Sequence, residues 1–222
     1  MPKVVVIAGP NGAGKSTAAP LLLREALAVE EFVNADTLAA GLSAFASEQV
    51  AFTAGRLALR RLRALAAGRR DFAFETTLAS RSFAPWLQQL CKSGYRLELV
   101  YLWLPQPELA IERVAERVRR GGHDIPTDII RRRYKNGLAN FLSLYRPLAD
   151  FWMMMDNTSW SAPTMRDLQP SNASAELAAK ILAASEKAIR AAVREHKLLG
   201  NPVATLRNGK VVLIPPEEIE ID

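Results

Sequence analysis

A short β-branched run, "KVVVIA" at residues 3–8, opens directly into "GPNGAGKST" at residues 9–17. No other feature of the chain restricts the fold as strongly. An uninterrupted apolar run of this length predicts a strand covered on both faces, as in a parallel sheet between helices. The spacing of Gly9, Gly14, Lys15 and Ser16 matches the phosphate loop G-x-x-x-x-G-K-[ST]. Glycines let such a loop wrap closely, so that successive backbone N–H groups point inward at phosphate oxygens. A helix starting at Lys15 adds the positive end of its dipole. In this arrangement the Lys15 ammonium reaches the β- and γ-phosphates and the Ser16 hydroxyl ligates Mg²⁺. The expected nucleotide-binding set is Gly9, Pro10, Asn11, Gly12, Ala13, Gly14, Lys15, Ser16 and Thr17, with ATP and Mg²⁺ as cofactors.

The rest of the chain alternates between strand and helix patterns. Lys15 to about Ala28 reads as a helix, "EFVNAD" as a strand ending at Asp36, and Ser47 to Ala67 as a long helix stopped by Gly68. "DFAFE" is a third strand ending at Glu75, "SFAPWLQQLCKSG" a helix, and "YRLELVYLWL" a fourth strand. "PELAIERVAERVRR" is a helix interrupted by Gly121-Gly122, a flexible break, before further helix from Thr127. "DFWMMMDN" is a fifth strand, residues 161–172 read as a loop, and an Ala-rich helix follows. Two β-like runs flank Asn208-Gly209, a hairpin signal. The predicted class is α/β: a P-loop NTPase with a parallel sheet, helices on both faces and a short C-terminal β-hairpin. The one plausible boundary divides a kinase-like domain, 1–197, from a hairpin extension, 198–222. An Arg-rich lid is expected around 119–137.

Composition removes several classes. The single cysteine, Cys91, excludes an internal disulfide and fits a reducing cytoplasm. No stretch approaches the length that spans a bilayer, so no membrane partner is expected. His123 has no second histidine at metal-ligand spacing, and His196 lies far off in sequence, which argues against zinc. The net charge of +6 suits anionic small molecules, and nucleic acid is the alternative partner.

Transporter ATPases share the "GPNGAGKST" spelling, but this chain lacks an LSGGQ-like signature and an apolar strand ending in Asp-Glu. It also lacks the N-K-x-D base-reading motif of switch GTPases. It does place polar groups at the carboxyl ends of predicted strands, where open α/β sheets bind ligands: Asp36, Glu75 with Thr76 and Thr77, and Asp156 with Asn157. Arg119, Arg120, Arg131, Arg132 and Arg133 flank the double glycine. Phosphoryl transfer spreads charge over equatorial oxygens, and arginines on a closing segment stabilise it. Arg56, Arg60, Arg61 and Arg63 read as a solvated helix face.

Together, "GPNGAGKST", "FVNADTLA", "FETTLAS", "RRGGHDIPTDIIRRRYKNGLANF" and "GNPVATLRNGKVVLIPP" resemble the zeta toxin-like P-loop kinases, and more closely their chromosomal relatives described as predicted ATPases. Zeta toxins phosphorylate a hydroxyl of UDP-N-acetylglucosamine with ATP and Mg²⁺. The resemblance implies that Lys15 and Ser16 take the loop roles and that Asp36 takes the proton from the acceptor hydroxyl. It implies that Glu75 and Thr77 contact the acceptor and that the lid supplies catalytic arginines, with Arg120 and Arg131 as the candidates. The toxins continue their third-strand motif with an arginine where this chain has Ala79, and Arg81 is the candidate substitute. The resemblance also implies an antitoxin-type protein partner. The expected function is ATP- and Mg²⁺-dependent phosphoryl transfer to a small hydroxylated acceptor such as a UDP-sugar. The alternatives are a nucleic-acid 5′-kinase or nucleic-acid-dependent ATPase, and a module that holds ATP without turnover.

Overall fold

Strand β1 (Lys3–Ala8) lies at the centre of the sheet because both of its faces are apolar. Its side chains alternate, as a strand requires. Val4, Val6 and Ala8 enter one core with Phe72, Phe74, Leu97 and Leu99. Val5 and Ile7 enter the other with Leu22, Val100, Leu102 and Met153. The computed structural model describes residues 1–42, 48–160, 162–169 and 172–220. β2 (Phe32–Val33), β3 (Phe72–Thr76), β4 (Arg96–Trp103) and β5 (Phe151–Asp156) join β1 in parallel, and β6 (Thr164–Leu168) adds antiparallel to β5, in the order β2-β3-β1-β4-β5-β6.

Helices cover both faces. α1 (Lys15–Leu21), α5 (Pro107–Arg119) and α7 (Asn172–Leu198) pack on the Val5/Ile7 face. α3 (Glu48–Ala67), α4 (Phe83–Lys92) and the wide turn Phe141–Tyr145 that ends α6 (Thr127–Asn140) pack on the Val4/Val6 face. α2 (Ala35–Leu42) links β2 to the α3 side. β7 (Val203–Arg207) and β8 (Lys210–Ile214) form a separate antiparallel hairpin. Its turn residues Asn208 and Gly209 both have positive φ, 52° and 74°, as a type I′ turn needs.

Four local expectations change. Residues 161–172 were expected to be a loop, yet Thr164–Leu168 form β6. This strand lies at the sheet edge with residues 164–167 exposed, so it carries no apolar alternation. Residues 161, 170 and 171 of that stretch lie outside the described residues, as do Ser47 at the expected start of α3 and the last two residues of the extension. The helix expected through Ala28 widens after Leu21, where Leu27 N–H reaches back to the Leu22 carbonyl at 2.9 Å. Pro20, which has no N–H, sits just before the widening. β2 is only two residues long, so Asp36 lies in the first turn of α2 rather than at the end of a strand. Gly121-Gly122 is an ordered helix stop. Gly121 (φ 84°) bonds the Val118 carbonyl and Gly122 N–H bonds that of Arg117, the two bonds of a Schellman cap.

One close approach aligns α6 with the sheet. A Cβ on Gly137 would lie 2.3 Å from the Thr77 carbonyl oxygen. Asn140 Nδ2 donates to the carbonyl of Leu78 at 2.8 Å, and Tyr145 OH donates to that of Ser80 at 2.6 Å. α6 thereby holds the segment leaving β3, including Leu78, which is fully buried with φ 54°. Gly137→Ala forces the helix off this segment. The expected loss is about 1–3 kcal/mol of unfolding free energy, read by chemical denaturation.

Candidate active site

The loop between β1 and α1 is cut to a shape that only glycine fills at Gly14. Its φ is 85°, and a Cβ there would meet Asn157 Nδ2 at 2.7 Å. That amide donates to the Ala13 carbonyl, also at 2.7 Å, so the exit of β5 braces the loop from behind. Lys15 is only 6% exposed, and its ammonium donates to the Pro10 carbonyl at 2.9 Å. Burial pulls the Lys15 pKa below its ordinary value; the charges of Glu75 and then Asp36 oppose that pull, while Arg117 and Arg133 add to it. A desolvated ammonium beside carboxylates is a site built for negative oxygens.

Glu75 is where the elements meet. It projects from β3 and accepts hydrogen bonds from Ser16 Oγ at 2.9 and 3.1 Å and from Asn34 Nδ2 at 2.9 Å. Lys15 Nζ lies 3.9 Å from its Oε1. The other end of the Asn34 amide caps α2: its Oδ1 accepts the N–H groups of Asp36 at 2.8 Å and Thr37 at 3.3 Å. One carboxylate thus sets the phosphate loop, and through Asn34 the start of α2, relative to each other. Ser16, Asp36 and Glu75 line a single cavity of about 160 Å³ together with the loop.

The arginines divide by position. Arg113, Arg117 and Arg120 line this cavity from α5 and its cap. Arg133 lies within 3.4 Å of Asn11 on the phosphate loop. Arg131 instead pairs with Glu108, and Arg119 pairs with Glu112 at 2.9 Å and Glu116 at 2.6 Å. Of the two arginines expected to be catalytic, Arg120 faces the cavity and Arg131 does not. Thr77 lies outside the lining, with its Oγ1 accepting the Ala79 N–H at 3.4 Å. Arg81 lines a different cavity, with Ala84, Pro85, Gln88, Leu144 and Leu148. Asp156 is committed to a turn: its Oδ1 accepts the Thr158 N–H at 2.9 Å and the Thr158 hydroxyl.

Several residues at the site carried no sequence signal. Asn34 has the look of ordinary loop chemistry. Arg113 sits amid helix charges, yet its guanidinium donates to the carbonyls of Asn157 (2.9 Å), Thr158 (2.8 Å) and Ala204 (3.1 Å) and lies 4.7 Å from the Trp160 ring centroid. Burial pulls its pKa down to about 10, so it remains charged at neutral pH. His196, distant in sequence, also lines the cavity, as do Trp160 and Ala204. Each is brought there by tertiary packing, which a local pattern cannot report.

Known proteins resemble this chain in sequence and in fold. The zeta toxin family pattern matches residues 1–147. An uncharacterized protein of Haemophilus influenzae is 28% identical over 132 residues, which cover 60% of this chain and 92% of the relative. A chain of the PezAT chromosomal toxin–antitoxin system of Streptococcus pneumoniae superposes with TM-score 0.58 at 14% identity, over 86% of this chain and 87% of that one. A chain of the AvrRxo1-ORF1:-ORF2 complex with ATP superposes with TM-score 0.61 at 20% identity, over 82% of this chain and 64% of that one. These two structures share the fold. Asn157→Ala removes the brace on the Ala13 carbonyl and leaves that acceptor buried without its bond. A loss of about 1–3 kcal/mol in stability is expected by denaturant titration, with weaker nucleotide binding by calorimetry.

Proposed function

The chain belongs to the zeta toxin family, and from that premise we propose that it transfers the γ-phosphoryl group of ATP to a hydroxyl of a small-molecule acceptor. The observation that carries this reading is the shared cavity, in which Lys15 and Ser16 face Asp36, Glu75, Arg117 and Arg120. Loop amides and the Lys15 ammonium hold the triphosphate. The Asp36 carboxylate takes the proton of the acceptor hydroxyl as that oxygen bonds to the γ-phosphorus. The bond from the γ-phosphorus to the bridging oxygen breaks, and ADP leaves with the electron pair. Arg117 and Arg120 offset the charge that spreads over the equatorial oxygens.

The donor set suits Mg²⁺. The Ser16 hydroxyl and Glu75 carboxylate lie within 3.1 Å of each other, both hard oxygen ligands, and among the described residues no group of three or more His, Cys, Asp or Glu could hold a metal by itself. Ser16 and Glu75 would hold the ion, which when bound supplies charge neutralisation at the β- and γ-phosphates. Glu75 in this reading serves both ion and acceptor.

For the acceptor we propose a hydroxylated small molecule, with UDP-N-acetylglucosamine the first to test because it is the acceptor of zeta toxins. Ala79, where the toxins carry an arginine, and Arg81, which lines a separate cavity, favour a different contact set for the acceptor. An antitoxin-type protein partner belongs to the same proposal, supported by the toxin–antitoxin system to which the PezAT neighbour belongs. Among the described residues no helix is long and apolar enough to cross a membrane.

An acceptor screen with ATP, read by the mass of phosphorylated product, tests the reading. Lys15→Ala is expected to lower transfer by about 10²-fold or more with little change in stability. Asp36→Asn is expected to keep ATP affinity and lose about 10²–10⁴-fold in kcat. Unchanged turnover in Asp36→Asn removes Asp36 as the base, and an active Lys15→Ala sinks the phosphate-loop assignment.

A further inference from the structure

The cavity has two ends of different chemistry. One carries Asp36 and Glu75. The other is lined by Arg113, Trp160, Ala192, His196 and Ala204, drawn from α5, the exit of β5, α7 and the hairpin strand β7. If the β- and γ-phosphates lie against Lys15 and Ser16, the nucleoside extends away from the acceptor carboxylates, past Thr17 and toward this second end. A smaller cavity of about 30 Å³, bounded by Thr17, Asn157, Ser159 and Trp160, shares Thr17, Arg113 and Trp160 with the first. Trp160, Ala192, His196 and Ala204 all lie beyond the residues that match the family.

This wall is fastened in place. Ala204 O accepts bonds from Arg113 Nε and Trp160 Nε1, and Thr205 Oγ1 donates to the Thr158 carbonyl at 3.3 Å. A small apolar cluster of Ile189, Val193, Val203 and Ile219, with Trp160 against it, seats the hairpin on α7. A two-stranded hairpin has little stability of its own, so its order here derives from this docking.

His196 gives the wall a chemical preference. It is 6% exposed, and its ring lies 5.5 Å from that of Trp160. Its Nδ1 is 2.8 Å from the Pro202 carbonyl oxygen. A carbonyl only accepts, so Nδ1 carries the proton. Burial disfavours the imidazolium, which leaves Nε2 as a bare lone pair.

We propose that the β7–β8 hairpin, with Trp160 and His196, forms the base-binding wall of the donor-nucleotide site, and that His196 Nε2 accepts a hydrogen bond from the exocyclic amine of adenine. The inference rests on the reading of the site as a nucleotide-dependent phosphotransferase. Guanine and hypoxanthine present a carbonyl oxygen where adenine has its amine. Against Nε2 that places lone pair against lone pair, and a site built around one hydrogen bond rejects the ligand that cannot make it.

The test measures binding of ATP, ITP and inorganic tripolyphosphate by calorimetry to the full chain and two variants. His196→Asn keeps a donor for the Pro202 carbonyl and removes Nε2. Ala192→Phe, at a half-buried position of α7 that lines the same end, fills the base end while leaving the phosphate loop untouched. Wild type is expected to bind ATP about tenfold or more tightly than ITP. His196→Asn should bring that ratio to about one, and Ala192→Phe should weaken both nucleotides about tenfold or more. Tripolyphosphate, which touches only the loop, should bind all three proteins alike. An unchanged ATP-to-ITP ratio in His196→Asn overturns the base contact, and unchanged ATP affinity in Ala192→Phe overturns the wall. Either variant suffices if the other fails to fold. Wild type that binds neither ATP nor tripolyphosphate overturns the functional reading itself, a result distinct from nucleotide binding that ignores the hairpin.

Discussion

The Glu75 carboxylate is the constraint on which the site depends. It accepts from Ser16 and Asn34 and lies 3.9 Å from the Lys15 ammonium. Three separate pieces of chain converge on it: the helix after the phosphate loop, the end of β2 and β3 itself. A carboxylate this enclosed is stable only with donors around it. The donors in turn are positioned by what they do elsewhere, since Asn34 caps α2 with the same side chain that binds Glu75. Asp36 is therefore located indirectly, through a cap and a shared amide. The register of β3 on β1, with Ile7 opposite Glu75, completes the placement.

The arginines show how far proximity in sequence differs from proximity in space. Arg117, Arg119 and Arg120 are nearly adjacent, yet Arg119 turns to Glu112 and Glu116 while its neighbours face the cavity. The helical repeat of 3.6 residues accounts for this, since one step along α5 rotates a side chain by about 100°. The Schellman cap at Gly121-Gly122 then redirects the backbone. Arg133, nearly two turns into α6, comes back toward the loop, while Arg131 pairs outward with Glu108.

What was legible in the sequence follows a physical rule. Features encoded within a few residues could be read: the β1 run, the phosphate loop, the Asn208-Gly209 turn, and the alternation of strands and helices that forces a layered sheet. Features encoded by pairing with something distant could not. β6 has exposed polar residues because it is an edge, and only its partner β5 makes it a strand. Arg113 reads as one more charge on a helix until the carbonyls of residues 157, 158 and 204 surround it. Asp156 looked like a site carboxylate because turn chemistry and metal chemistry use the same residue type. Strand ends pointed to Asp36 and Glu75, which do share a cavity, although Asp36 reaches it from the first turn of α2; the second end, made by Trp160, His196 and Ala204, depends on how the last helix folds back.

Arg113 has a bearing on the order of assembly during synthesis. Its acceptors lie 44, 45 and 91 residues further along the chain. A chain emerging from the ribosome exposes α5 long before β7 exists, and the helix waits with an uncovered guanidinium and an uncovered Trp-stacking face. Contacts of such long sequence separation also form late and slowly. The contact between the phosphate loop and Glu75 spans a shorter stretch, 59 residues, and both of its partners are made by position 75. By then the loop, Ser16, Lys15 and Glu75 have all been made, whereas the Asn157 amide that braces the Ala13 carbonyl and the residues at the opposite end of the cavity have not.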